Sequence, residues 1–489
     1  MAIASRLVWL ALAVPLPLSL PPLLAAQQPI ALPDAIALAR ERSHEAQAAR
    51  AARQAARYRH RAFRSGLLPQ LSLGGNVPAY NRSIIPVLQP DGSTRFLPQQ
   101  QTDAALTMTL SQKVPVTGGD LFVSSSLARL LVIDQDTSIE RWSSAPVSVG
   151  LRQPLFRPNT AAWDRREEVV RAELDERLYL EAMEDVALRT TNAFFDVYAA
   201  RLGLDNAIKN AAVNDTLYRL NRGRFDVGKI GENDLLQSEL ALLRARAALD
   251  DARLGHERAT DALRLALNLP VGTPVDVVVT DEVPAFDADT ARAVAEALKN
   301  RAAVSGVALD EVQARRRVAE ARLGGGPGAM VQASFGLNAT APEASLAYRS
   351  LLEARRFTLA VQLPLWQWGA HREGVRAAEA DRERVTSLSQ VTVEQTTHEA
   401  HFAALELAQA RRNLALVAKA DSVADKRFEV AYNRYVIGRI GVDNLYIAQA
   451  EKDQALVQSV QALRGYWLAY YRLRRATLFD FATGQPIRL

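Results

Sequence analysis

Two short motifs occur twice in this chain at one fixed separation, and that duplication limits what it can fold into more than any other feature. Pro154-Leu155-Phe156 returns as Pro364-Leu365-Trp366, and Gly228-Lys229-Ile230-Gly231 returns as Gly438-Arg439-Ile440-Gly441, both 210 positions later. Arg224-Phe225 and Leu235 meet Arg434-Tyr435 and Leu445 at the same offset. Separated landmarks that share one offset mark an internal repeat of a structural unit. The stretch Pro33–Ser65 corresponds to Thr290–Leu323 at an offset near 259, so the first copy carries about 49 extra residues between Pro78 and Val147. The copies are expected over 27–285 and 286–489.

Helix dominates each copy. No proline interrupts Asn159–Phe225 or Gly369–Tyr435, and both stretches are full of Ala, Leu, Arg and Glu. The expected helices run over about 160–225 and 369–435, each roughly 100 Å long at 1.5 Å per residue. Shorter helices are expected over 33–65, 232–269, 290–323 and 442–479, and two of them end to end span a similar length. Leu236, Leu240, Leu243, Ala247 and Leu254 follow a 3-4 spacing, as do Leu456, Val460, Leu463, Trp467 and Tyr470. Such spacing predicts coiled-coil seams. Charged residues fill the remaining faces and read as solvated.

The segments between helices alternate. Phe357, Leu359, Val361, Leu363 and Leu365 share one face, with Thr358, Ala360, Gln362 and Pro364 on the other. Val331, Ala333, Phe335 and Leu337 alternate with polar or small residues, as do Val147, Val149 and Leu151, and more weakly Leu71, Leu73 and Val77. Strands are therefore expected over about 70–79, 147–155, 330–339 and 357–365. Period-two alternation over about ten residues suits an outer-membrane barrel strand, and equally a half-buried soluble strand. The extra 49 residues hold a further hairpin pattern, Leu106, Met108 and Leu110, then Gly118-Gly119, Leu121 and Val123. They read as a long extracellular loop with an extra hairpin; the alternative is that they add strands to the barrel.

The opening segment favours the barrel. Arg6, the apolar run Leu7–Leu24 broken by four prolines, and Ala25-Ala26 have the pattern of a signal peptide over 1–26. Its removal takes the formal charge from +5 to +4. No later run reaches the roughly 20 apolar residues of a membrane helix. The 59 basic and 54 acidic residues are interspersed, which argues against a nucleic-acid partner. There is no cysteine, which excludes disulfides, thiolate metal sites and thiol catalysis. His398 and His401 share a helix face with Glu394 one turn earlier, but the order His398-Glu399-Ala400-His401 is not a zinc motif. Gly324–Gly328 lacks the Gly-Lys-Ser/Thr of a phosphate loop and reads as a connector. With no convincing catalytic arrangement, no cofactor and no resident metal are expected, and the chain does not read as an enzyme.

The repeat, the helix lengths, the two strand exits and the two tip motifs resemble the TolC family of outer-membrane efflux proteins. The tip motifs are Arg224-Phe225-Asp226-Val227-Gly228-Lys229-Ile230-Gly231 and Arg434-Tyr435-Val436-Ile437-Gly438-Arg439-Ile440-Gly441. The resemblance implies a fold that is mainly α with transmembrane β: a long α-helical coiled-coil barrel continuous with a β-barrel shared by a homotrimer. Each chain would give four strands to a barrel of twelve, within outer-membrane lipid of a Gram-negative cell, and its helices to a tunnel into the periplasm. It further implies a passive exit duct of a tripartite efflux pump or type I secretion system. The partners would be a periplasmic membrane-fusion adaptor and an inner-membrane pump of the RND, ABC or MFS type. Adaptor hairpins would dock on Val227, Gly228, Gly231, Ile437, Gly438 and Gly441, and Asp234, Tyr435, Asp443 and Asn444 would line the periplasmic aperture. Two aspartates that ring the aperture in some members are replaced by Asn444 and Ile447. The competing readings are a non-conducting coiled-coil scaffold of the envelope and a secreted enzyme.

Overall fold

A helix meets its own backbone hydrogen-bonding needs, so a long proline-free, alanine-rich stretch can stay helical as far as packing supports it. The computed structural model describes residues 29–134, 137–279, 283–284 and 286–488; the expected signal peptide, 1–26, lies outside them. In chain order it contains β1 (Ile30–Ala31), α1 (Leu32–Arg42), α2 (His44–Gly66), β2 (Gln70–Leu88), β3 (Thr94–Val114), β4 (Gly119–Asp134) and β5 (Thr137–Leu155). There follow α3 (Thr160–Asp226), α4 (Glu232–Ala266), β6 (Val277–Val278), α5 (Thr290–Asn300), α6 (Ala302–Gly324), β7 (Gly328–Ala341) and β8 (Leu352–Gln362). The chain ends with α7 (Ala370–Val436), α8 (Val442–Thr477), β9 (Phe479–Asp480) and β10 (Gln485–Pro486). α5 and α6 have the 11 and 23 residues of α1 and α2, and α7 has the 67 of α3.

The chain divides into two units, Met1–Ala39 with Ala193–Val283, and Arg40–Asn192 with Pro284–Leu489. In the first, β1 pairs in parallel with β6, and Arg201 reaches Asp276 at 2.5 Å and the Val277 carbonyl at 3.0 Å. The short turn between Asp226 and Glu232 brings α4 back along α3, and Arg246 of α4 meets Asp215 of α3 at 3.2 Å. Phe194, Phe195, Leu217, Leu263 and Val277 are buried, each contributing roughly 1.5–3 kcal/mol. The expected seam of α4 is not covered in the single chain: Leu236, Leu240, Leu243 and Leu254 are exposed.

In the second unit α7 packs against α5, α6 and α8. The α8 seam is covered where that of α4 is not, with Val460 and Tyr470 buried. Two breaks interrupt the short helices, and they are capped differently. At the first, Ser43 Oγ accepts from the Ala46 N–H at 3.1 Å, the usual N-cap arrangement. At the second, the Ala302 N–H donates instead to Glu181 of α3 at 3.0 Å. Arg301, buried at this break, pairs with Glu181 at 2.9 Å and Glu399 at 3.1 Å, although the angles fall short of hydrogen bonds. Ser43→Ala should cost about 1 kcal/mol, read as a small drop in the unfolding midpoint of the purified protein. An unchanged midpoint would show that the first break does not need its cap.

One antiparallel sheet joins six strands in the order β2-β3-β4-β5-β7-β8. This corrects the expectation of four strands per chain. Residues 78–147 are not a loop carrying a hairpin; they hold β3 and β4 and lengthen β2 and β5. The β3–β4 turn closes at the helical end of the sheet, where Asn159, just before α3, donates to the Pro115 and Val116 carbonyls at 2.9 and 3.1 Å. A turn held there forces both added strands to run the height of the sheet beside their neighbours.

Candidate channel wall and helix tips

The cross-strand register sorts the sheet into two chemically different faces. One row of partners runs Leu71, Leu110, Val123, Val149 and Phe335, and a second runs Leu121, Leu151, Ala333 and Phe357. The alternate row on the opposite face reads Ser72, Thr109, Ser124, Ser148 and Gly336. The first face is apolar and leaves large side chains uncovered, Phe357 being 70% exposed. Such a patch, continuous over six strands, marks a surface meant for another apolar phase. Trp366 and Trp368 follow β8, exposed and edge-to-face at 5.2 Å, as aromatic side chains do at a membrane–water boundary. β2 and β8 are the two edges of the sheet, with backbone groups free to pair with further strands. No described helix is long and apolar enough to cross a membrane.

Each long helix ends in the same turn. Gly228 has φ +68° and Gly438 φ +74°, the left-handed region in which a β-carbon would be strained. The Gly228 N–H donates to the Phe225 carbonyl and the Lys229 N–H to Arg224, both at 2.8 Å. Gly438 and Arg439 bond Tyr435 and Arg434 in the same way at 2.9 Å. These are Schellman turns, in which the two bonds satisfy the last orphan carbonyls. Gly231 and Gly441 then take extended backbone as N-caps of α4 and α8. With the turn closed by backbone alone, the preceding side chains are free: Val227 is 67% and Ile437 64% exposed.

Asp234 stands half-buried in the first turn of α4, and Asp443 and Asn444 stand exposed in the first turn of α8. Carboxylates there complement the helix dipole. Tyr435 is buried, 5% exposed, in the same hairpin as Tyr446. Burial, with Tyr435 close by, pushes the Tyr446 phenol up to about 12, so the Tyr446 ring serves as neutral packing. The first-tip residues Val227, Gly228, Gly231 and Asp234 belong to the first unit, and Ile437, Gly438, Gly441, Tyr435, Asp443 and Asn444 to the second.

A buried charge network escaped the sequence reading altogether. Glu184 of α3 is fully enclosed, and its carboxylate takes Arg40 from α1 at 2.5 Å and Arg474 from α8 at 3.1 Å. Arg474 also pairs with Asp480 at 2.7 Å and donates to the Tyr470 hydroxyl at 3.2 Å. Beside it Arg475 bridges Asp185 at 2.6 Å and Glu399 at 3.3 Å. Burial works against the Arg474 charge, but Glu184 outweighs it and holds the guanidinium above its ordinary pKa. Nothing in the Glu-Asp dipeptide separates it from the many solvated acids of the chain. His398 and His401 both lie against Phe402, at 6.3 and 5.5 Å. Among the described residues no group of three or more His, Asp or Glu could hold a metal ion.

A helical body joined to a sheet with one apolar face and two open edges is the architecture of an outer-membrane channel subunit. Residues 35–269 match the family model described as "Outer membrane efflux protein". The fold is similar to the CmeC outer membrane channel of Campylobacter jejuni, with 15% identity and a TM-score of 0.66 over 94% of this chain and 87% of that one. It is similar to the VceC outer membrane protein of Vibrio cholerae, with 15% identity and a TM-score of 0.63 over 91% and 95%. The open state of the Neisseria gonorrhoeae MtrE outer membrane channel gives 16%, 0.61, 91% and 88%. Among curated proteins, none matches significantly. The family-model match and these folds agree with the resemblance to the TolC family that the sequence carries. The protein resides in the outer membrane and extends into the periplasm.

Proposed function

We propose that three copies of this chain form a passive exit duct, through which an inner-membrane pump and a periplasmic adaptor discharge cargo across the outer membrane. The observation that carries this reading is the six-stranded sheet, apolar on one face and unpaired at both edges. In hydrocarbon an open edge is untenable, because each unsatisfied backbone group costs several kcal/mol. β2 and β8 run in opposite directions, so β8 of one copy meets β2 of the next antiparallel, the pairing that membrane barrels use. Three copies then supply eighteen strands rather than the twelve that the resemblance implied. At about 4.8 Å between strands and a tilt of about 40°, eighteen strands give a barrel about 36 Å across the backbone, against about 24 Å for twelve. The periplasmic helices form coiled-coil walls, the exposed α4 seam packing against a neighbouring copy. The exposed Val227 and Ile437 form adaptor-docking tips, with Gly228, Gly231, Gly438 and Gly441 shaping the turns. Asp234, Asp443 and Asn444 border the aperture that Tyr435 braces from behind.

Imaging of detergent-extracted protein from the outer-membrane fraction tests this directly. Threefold tubes with a barrel about 36 Å wide are expected, together with current across planar bilayers. A width near 24 Å would overturn the eighteen-strand closure, and a compact monomer would overturn the duct. A rod that inserts but passes no current would instead favour a scaffold.

A further inference from the structure

The charges of the sheet are divided between its faces unevenly. On the polar face, Lys113, Asp120 and Arg152 are neighbours in one row of β3, β4 and β5, and Arg356 of β8 lies one row above. Further along the same face, Asp103 and Arg141 flank Leu130, and Arg95 lies towards the far turn. That makes five basic and two acidic residues, a net +3 per copy. The five basic side chains are exposed, while both acids are half-buried. On the apolar face the charges cancel in pairs instead, Arg129 with Glu140 at 2.7 Å and Arg355 with Glu353 at 2.5 Å, leaving only Arg82 towards the far end. None of the five polar-face bases is in an ion pair among the described residues.

One of these five bases, Arg141, owes its place to a β-bulge. Arg141 and Arg152 are an odd number of residues apart and would alternate to opposite faces in a regular strand. A register shift between Ser144 and Val147 brings them onto one face. We propose that the polar face of the sheet is a basic wall that selects anions, so that anionic solutes pass the barrel more readily than cations of the same size. The inference rests on the duct reading, with this face towards the lumen. Rings of arginine and lysine are a known physical means of anion selection. In three copies the wall carries +9. At about 0.01 M salt the Debye length, about 30 Å, exceeds the radius of the barrel, so the field of the wall fills the lumen.

The test is the reversal potential of the purified full chain in planar bilayers under a tenfold KCl gradient at low salt. Chloride permeability is expected to exceed potassium permeability several-fold, with the preference fading as salt is raised. Arg152→Glu with Arg356→Glu takes the wall from +3 to −1 per copy and is expected to reverse the preference. Arg152→Gln with Arg356→Gln, a gentler change for folding, is expected to reduce it. Current with a potassium preference, or a reversal potential that neither variant moves, would overturn the basic wall and leave the duct standing. Inserted protein that passes no current would overturn both.

Discussion

Replacing Glu184 with leucine is expected to remove most of this protein from the outer membrane. The substitution leaves two guanidinium groups facing one buried apolar side chain, and Arg474 cannot turn to water because Asp480 and Tyr470 hold it in place. Breaking a buried pair by removing one partner costs about 3–5 kcal/mol, a large share of the stability of a typical fold. The expected readout is a sharp fall in mature protein in the envelope and an unfolding midpoint lower by several degrees in detergent. Glu184→Gln, which keeps the shape and can still accept one hydrogen bond, is expected to fall between the two. A leucine variant as abundant and as heat-resistant as the wild type would show that the α1, α3 and α8 helices are held by apolar packing alone.

The second large effect is expected at the tips. Val227→Asp combined with Ile437→Asp is expected to reduce cargo export to background, a loss of at least about tenfold, while protein level and single-channel current stay unchanged. The two side chains are exposed and hold up nothing in the chain itself, so folding has little reason to respond. An adaptor that buries them would have to desolvate two carboxylates, and central interface positions carry about 2 kcal/mol or more each. Export in whole cells, with capture of the adaptor on the purified channel, checks this. Undiminished export would place the docking surface elsewhere. Gly438→Ala is a useful companion, since a left-handed alanine costs about 1 kcal/mol and adds no charge.

The parts of this fold that could be read from sequence are those fixed by local chemistry. Proline-free, alanine-rich stretches coincide with α3 and α7, and the glycines at 228 and 438 sit where a helix has to stop. Strand number was less legible. The alternation of Leu106, Met108 and Leu110 was visible, but whether such a hairpin stands as a loop or joins a sheet depends on which strands lie beside it. Arg141 of the basic wall was hidden for a related reason, because a bulge between Ser144 and Val147 resets the parity on which its face assignment depends. Glu184 was hidden because its burial is made by helices distant in sequence, with Arg474 290 residues away.

The two helix breaks impose an order on the making of the molecule. The first is capped by a side chain 3 residues from the amide it serves, so that corner can form as soon as it enters the periplasm. The cap of the second was synthesised 121 residues earlier. When Ala302 emerges, Glu181 is already available, provided that α3 has stayed accessible. A circular permutant beginning between Glu181 and Ala302 would make α6 first, with the start of that helix lacking its acceptor until nearly the whole chain had entered. The same contacts in the finished protein would then be reached by a slower and more aggregation-exposed route, so the N-to-C order in which the chain enters the periplasm is part of how this fold is secured.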